Sequence, residues 1–125
     1  MNNRWIKLAI KEAEKSTFKF RVGCVIYNKN QFISSGHNYE NRYNPIHDPR
    51  YRRWPSSVHA ELDAALKSNP DELRGASILV VRINRENQFR MSAPCKYCLM
   101  YLKHVGIKKI YFTSDKFPYI ERMKI

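Results

Sequence analysis

The chain has no apolar run approaching the roughly 20 consecutive residues that a membrane span requires, so no membrane association is expected. Its first residues, Met1-Asn2-Asn3-Arg4-Trp5, open an amphipathic pattern where a signal peptide would need a long apolar stretch. Cysteine is scarce as well. Three of them cannot build a disulfide framework, and a reducing, cytoplasmic compartment is the expectation that follows. Acidic residues are few: 11 Asp plus Glu stand against 23 Lys plus Arg, and the resulting net charge of +12 is the electrostatic footprint of a polyanion binder. Some of that charge is dispersed, as at Lys7, Lys11 and Lys15, where a solvated helix face accounts for it.

What is present suits one domain over residues 1–125, with 43% hydrophobic content available for its core. Ile6, Ala9, Ile10 and Ala13 recur at helical spacing. Phe20, Val22, Cys24 and Ile26 alternate as a strand, which Asn28-Lys29-Asn30 turns into a second strand near Phe32-Ile33. After a long polar loop come a helix near 58–67, a strand at Ile78-Leu79-Val80-Val81, a helix from Cys95 that ends before Gly106, and a strand at Ile110-Tyr111-Phe112. That strand–helix–strand unit must cross over in parallel and right-handed fashion. The tail over 113–125 is compatible with a strand or a helix. The expected class is α/β: three layers, α/β/α, around a mixed sheet of about five strands with helices on both faces.

The chemistry concentrates in His59-Ala60-Glu61 and Pro94-Cys95-Lys96-Tyr97-Cys98. A structural zinc site closes its tetrahedron with four protein ligands, whereas a catalytic one supplies three and leaves the fourth position for water. His59, Cys95 and Cys98 make three, so one Zn2+ per chain is expected. Two thiolates and a neutral imidazole cancel the charge of the metal, which should then acidify water less than an all-histidine site and require a nearby base. Glu61 is the candidate catalytic base. Cys95 and Cys98 share a helical face with Leu99 and Leu102, and Pro94 precedes that helix, whose free amides favour thiolate. His59 likewise opens the helix carrying Leu62, Ala65 and Leu66, so two helix starts would point at one metal. Cys24 lies in an alternating strand pattern and reads as a small buried hydrophobe, not a ligand.

By itself the C-x-x-C would fit a redox pair or half of a structural zinc knuckle, and an isolated H-x-E carries little information. The joint pattern H-x-E…P-C-x-x-C is the zinc deaminase signature, with the Glu as general acid and base. Around it, Val22-Gly23-Cys24-Val25-Ile26, Ser35-Gly36-His37-Asn38, His59-Ala60-Glu61-Leu62-Asp63-Ala64, Ala93-Pro94-Cys95-Lys96-Tyr97-Cys98 and Gly106-Ile107-Lys108-Lys109-Ile110-Tyr111 resemble the cytidine and deoxycytidylate deaminase superfamily through most of the chain. The last stretch resembles the deoxycytidylate and tRNA-type branches, which implies a cytidine-deaminase-like fold whose fourth and fifth strands run parallel. The resemblance further implies that Asn38 binds substrate, that the backbone N–H of Ala60 meets the carbonyl oxygen of the base, and that the Ala93 carbonyl accepts from the leaving amine. It also implies a homo-oligomer.

The loop from Tyr39 to Ser57 leads straight into His59, and loops longer than roughly 12–15 residues in a compact domain are usually functional or disordered. It carries Arg42, Arg50, Arg52 and Arg53 interleaved with Tyr43, Tyr51 and Trp54, a mixture suited to phosphate pairing and base stacking. Arg50, Arg52, Arg53, Tyr51 and Trp54 are therefore candidate substrate-binding residues, against the alternative of a solvated loop whose aromatics cover the sheet. His47 reads as solvent-facing. Deoxycytidylate deaminases with an extra zinc use additional Cys or His here, which this loop lacks.

Three functions compete. The first is hydrolytic conversion of cytosine to uracil with release of ammonia on a cytosine nucleotide, most simply dCMP. The second is deamination of cytosine in single-stranded DNA or of a tRNA base, which the basic charge favours. Adenine ranks lower, because the tRNA adenosine branch usually has Glu directly before its Pro-Cys, where this chain has Ala93. The third is a zinc-stabilised nucleic-acid-binding module, which has no need of an open metal position.

Overall fold

A computed structural model describes residues 1–18, 20–40 and 57–123. Its elements are α1 (Asn3–Glu14), β1 (Arg21–Asn28), β2 (Gln31–His37), β3 (Tyr39–Glu40), β4 (Ser57–Val58), α2 (Ala60–Leu66), α3 (Pro70–Leu73), β5 (Ser77–Ile83), β6 (Phe89–Arg90), α4 (Lys96–His104), β7 (Lys109–Thr113) and β8 (Ile120–Arg122). Strand order in the main sheet is β2-β1-β5-β7-β8, with β6 paired to β5, while β3 and β4 form a separate two-stranded piece. The sheet is mixed: β1 is antiparallel to β2 and β5, and β5 is parallel to β7 with Ile78 opposite Ile110. No helix among the described residues is long and apolar enough to cross a membrane.

Alternation along the strands sorts the core onto two faces. Val25, Tyr27, Leu79, Val81 and Ile83 pack with Trp5, Ala9 and Ala13 of α1. The intervening Cys24, Ile26, Ile78, Val80 and Ile110 pack with Ala60, Ala64 and Ala65 of α2 and Leu102 of α4. Burial on both sides makes β1 and β5 near-continuous apolar runs, as expected for central strands covered by helices. Two glycines set how closely those helices lie. A Cβ on Gly23 would fall 2.3 Å from both the Ala9 carbonyl oxygen and the Ala13 nitrogen of α1, and one on Gly36 would fall 2.7 Å from the Ala60 carbonyl oxygen and 2.6 Å from the Ala64 nitrogen of α2. Only hydrogen fits at either place.

Two expectations need correction. The fourth and fifth strands in chain order of the main five, β7 and β8, are antiparallel instead of parallel. A parallel return needs a crossover of about a dozen residues or more, and only residues 114–119 separate the two strands, so the tail folds back as a hairpin. Phe20, read as part of the first strand, precedes it and is 53% exposed. Of the alternatives for the tail, the structure has the strand. Arg42, Tyr43, His47, Arg50, Tyr51, Arg52, Arg53 and Trp54 lie outside the described residues.

Candidate active site

His59 is the N-cap residue of α2 and Cys95 that of α4, both with extended backbone (φ −75°, ψ 152° and φ −67°, ψ 167°). The Cys98 N–H donates to the Cys95 sulfur at 3.4 Å, so the thiol takes the capping place usually held by a side-chain oxygen. His59 Nδ1 lies 3.7 Å from Cys95 Sγ and 3.3 Å from Cys98 Sγ, and the donor atoms of these three residues all fall within 4.8 Å of one another. No other such group of His, Cys, Asp and Glu occurs among the described residues.

This donor set fits zinc. Tetrahedral zinc with its usual bond lengths to sulfur and nitrogen separates those donors by roughly 3.6 Å, and the two observed separations bracket that value. Burial lowers the pKa of His59, which keeps the imidazole neutral and its lone pair available. Burial, then the neighbouring Glu61 and Cys95, push the Cys98 thiol up. That opposes the lowering expected from a helix start alone, because desolvating a thiolate beside an acid costs more than the helix end returns. A coordinated cation reverses this balance by deprotonating the thiol.

Glu61, in the first turn of α2, is 5% exposed. Burial raises its pKa, against the hydrogen bonds its carboxylate accepts from its own backbone N–H and from Cys98. The helix that carries it is fastened to the sheet beneath: Ser34 Oγ donates to the Ala64 carbonyl at 2.9 Å, Cys24 Sγ to the Ala60 carbonyl at 3.1 Å, and the His37 N–H to Asp63 Oδ2 at 3.2 Å. Cys24 is fully buried and stands outside the ligand group, as its strand pattern implied.

A cleft of about 490 Å³ opens beside the cluster. It brings together Asn38, Ala60 and Ala93 with His59, Glu61 and Cys95, although these come from three separate parts of the chain. Asn38 is turned toward the backbone of the first strand: its Oδ1 accepts from the Val22 N–H at 3.0 Å and its Nδ2 donates to the Phe20 carbonyl at 2.6 Å. One amide hydrogen and one lone pair remain for a ligand. Phe18, Phe20, Val22, Arg82, Met91 and Ser92 complete the lining; of these only Val22 lay in a sequence motif, and none had been marked as a site residue. The one available signal was Arg82, a charge set in the otherwise apolar run of β5.

A second group holds the loop before α4. Ser92 Oγ donates to the Val80 carbonyl at 2.7 Å and accepts from the Thr113 N–H at 2.7 Å, while Thr113 Oγ1 donates to the Arg90 carbonyl at 2.8 Å. Ser92 and Thr113 are both buried. Together they tie Ser92, which leads into Ala93 and Cys95, to the middle of β5 and the last residue of β7.

The fold and site define a class: an α/β domain in which two facing helix starts bring together three residues that could hold a metal ion beside a buried carboxylate. The chain belongs to the cytidine and deoxycytidylate deaminase zinc-binding region family, which it matches over residues 1–114. Among curated relatives, a deoxycytidylate deaminase of Pongo abelii is 27% identical over 105 residues, covering 75% of this chain and 52% of the relative. The chain thus spans about half the length of that relative. Among solved structures, a cytidine deaminase from Burkholderia pseudomallei superposes with a TM-score of 0.65 at 20% identity, covering 99% of this chain and 92% of the other. A dCMP deaminase from the cyanophage S-TIM5 gives 0.58 at 18% identity, covering 91% and 86%. Both likenesses show the fold.

Proposed function

We propose that the protein is a zinc-dependent hydrolytic deaminase that converts a cytosine base to uracil and releases ammonia, with a cytosine nucleotide such as dCMP as substrate. The observation that carries this reading is the meeting of His59 Nδ1 with the Cys95 and Cys98 sulfurs, next to the buried Glu61 and open to a cleft. His59, Cys95 and Cys98 would hold one zinc, which when bound supplies Lewis acidity and a water easier to deprotonate. Glu61 takes a proton from water, gives one to the ring nitrogen, and serves again when the exocyclic amine leaves. A C–O bond forms at the amine-bearing carbon, its C–N bond breaks, and the balance is cytosine plus water to uracil plus ammonia. The Ala60 N–H would meet the base carbonyl, the Ala93 carbonyl would accept from the amine, and Asn38 would contribute its remaining amide hydrogen. The deoxycytidylate deaminase relative supports the nucleotide. The antiparallel tail hairpin withdraws the topological argument for it, so the choice between nucleotide and nucleoside rests on cleft residues.

The net charge of +12 favours a second substrate, cytosine in single-stranded DNA or a tRNA base held by Arg50, Arg52, Arg53, Tyr51 and Trp54. Cytoplasmic residence and assembly into a homo-oligomer belong to the same reading, the former because Cys95 and Cys98 must stay reduced to bind metal. Parallel assays for ammonia or C-to-U conversion on dCMP, CMP, cytidine, single-stranded DNA and tRNA test it. Turnover of dCMP with modest salt dependence is expected. Conversion of the strand, with binding that falls steeply with salt as counterions are released, would give the second substrate instead.

A further inference from the structure

Arg82 is the basic side chain that β5 contributes to the lining of the cleft. Its strand neighbours Leu79, Val80, Val81 and Ile83 are buried apolar residues, so a half-buried arginine here must be compensated for the water its side chain loses. Part of the compensation is visible. The guanidinium carbon lies 4.3 Å from the centre of the Phe20 ring, and Nη1 donates to the Met91 carbonyl at 3.5 Å, the outer limit of a hydrogen bond. No carboxylate among the described residues pairs with it, whereas Lys15 is bound to Glu12 and Lys67 to Asp63. The nearby Arg21 is spent on the Asn84 carbonyl and Asn87 Oδ1, and Arg90 reaches Gln88 Oε1.

Arg82 therefore offers a rigid fork of five N–H donors, one of them weakly used, held on a strand and stacked on an aromatic ring in the same cleft as Glu61 and the zinc ligands. Such a fork matches the bidentate geometry of a phosphate group. Resting on the deaminase reading of the site, we propose that Arg82 reads the phosphate of a cytosine mononucleotide, and so makes the nucleotide and not the nucleoside the substrate.

The test compares zinc-loaded wild-type protein with Arg82→Gln and Arg82→Lys, titrated calorimetrically with dCMP and with deoxycytidine and assayed for ammonia release from each. Wild type should bind dCMP at least about tenfold more tightly than deoxycytidine, as a charge-assisted bidentate contact warrants. Arg82→Gln should abolish that preference and leave the deoxycytidine affinity unchanged, and Arg82→Lys, which keeps the charge without the fork, should restore part of it. The proposal is overturned if wild type shows no preference for dCMP, if Arg82→Gln leaves the preference intact, or if it weakens both ligands equally, the mark of a packing role beneath Phe20. Absence of ammonia release from every cytosine substrate would instead overturn the deaminase reading, while a phosphate preference lost in Arg82→Gln would still assign the phosphate to Arg82.

Discussion

His59 Nδ1 lies 3.3 Å from Cys98 Sγ, although 39 residues of chain separate them. The contact exists because α2 and α4 pack on the same face of the sheet and both begin at the cleft. Neither helix brings the three donors together by itself; the sheet that aligns their first turns does.

One zinc per chain is expected in purified protein, lost in Cys98→Ser and in His59→Ala. Metal analysis by mass spectrometry decides this. Stoichiometric zinc retained in Cys98→Ser would mean that other residues hold it.

Glu61→Gln should keep both zinc and the thermal transition, because it removes a proton carrier and no ligand. Turnover should fall on the order of 10²–10⁴-fold, the usual worth of a positioned acid–base group. Near-normal activity in this variant would assign the proton transfers elsewhere.

Gly23→Ala and Gly36→Ala should separate folding from function. Each puts a methyl into helix backbone atoms at 2.3 Å and 2.6 Å, respectively, and overpacking of this kind costs about 1–3 kcal/mol or more. Gly23→Ala displaces α1 and should lower stability with zinc affinity preserved. Gly36→Ala displaces α2, which begins directly after His59 and carries Glu61, so zinc affinity and turnover should fall with stability. Equal effects of the two on zinc binding would contradict this.

Ser92→Ala should destabilise by about 1–3 kcal/mol, because the Val80 carbonyl and Thr113 N–H lose their shared partner in a buried place. Thermal denaturation measures the loss. Turnover should also drop, since Ala93 and Cys95 follow directly, and a variant with full stability and activity would show that the loop is held by other contacts.

Glu12 predicts a pH dependence. Burial alone would raise its carboxyl, but hydrogen bonds from Lys15, His37 and Ser35 outweigh burial and hold it below the ordinary carboxylate range. A folded pKa below the unfolded one stabilises above the unfolded value and is lost as pH falls through the folded one. Glu12→Gln should therefore melt lower than wild type at neutral pH, with the gap closing toward acid. A gap that persisted at low pH would indicate packing, not charge.

Much of this protein was determined by sequence alone. Helical spacing over Ile6, Ala9, Ile10 and Ala13, alternation through Cys24 and Ile26, and the apolar run Ile78–Val81 all became elements where local pattern placed them, since each pattern reports burial of one face or two. The candidate site was legible for a different reason: one His and two Cys as metal donors, with a Glu beside the His, have few other uses together at these spacings. Local pattern could not supply partnership. That β7 and β8 form a hairpin depends on the shortness of the chain between them, and that Gly23 and Gly36 admit helices depends on what lies across the sheet. Phe18, Phe20, Arg82 and Met91 share a cleft only because β1 and β5 are neighbours there and β6 folds back on β5. A contact between residues far apart in sequence leaves no periodic trace in either segment, so it was tertiary structure that gave the metal motif its cleft.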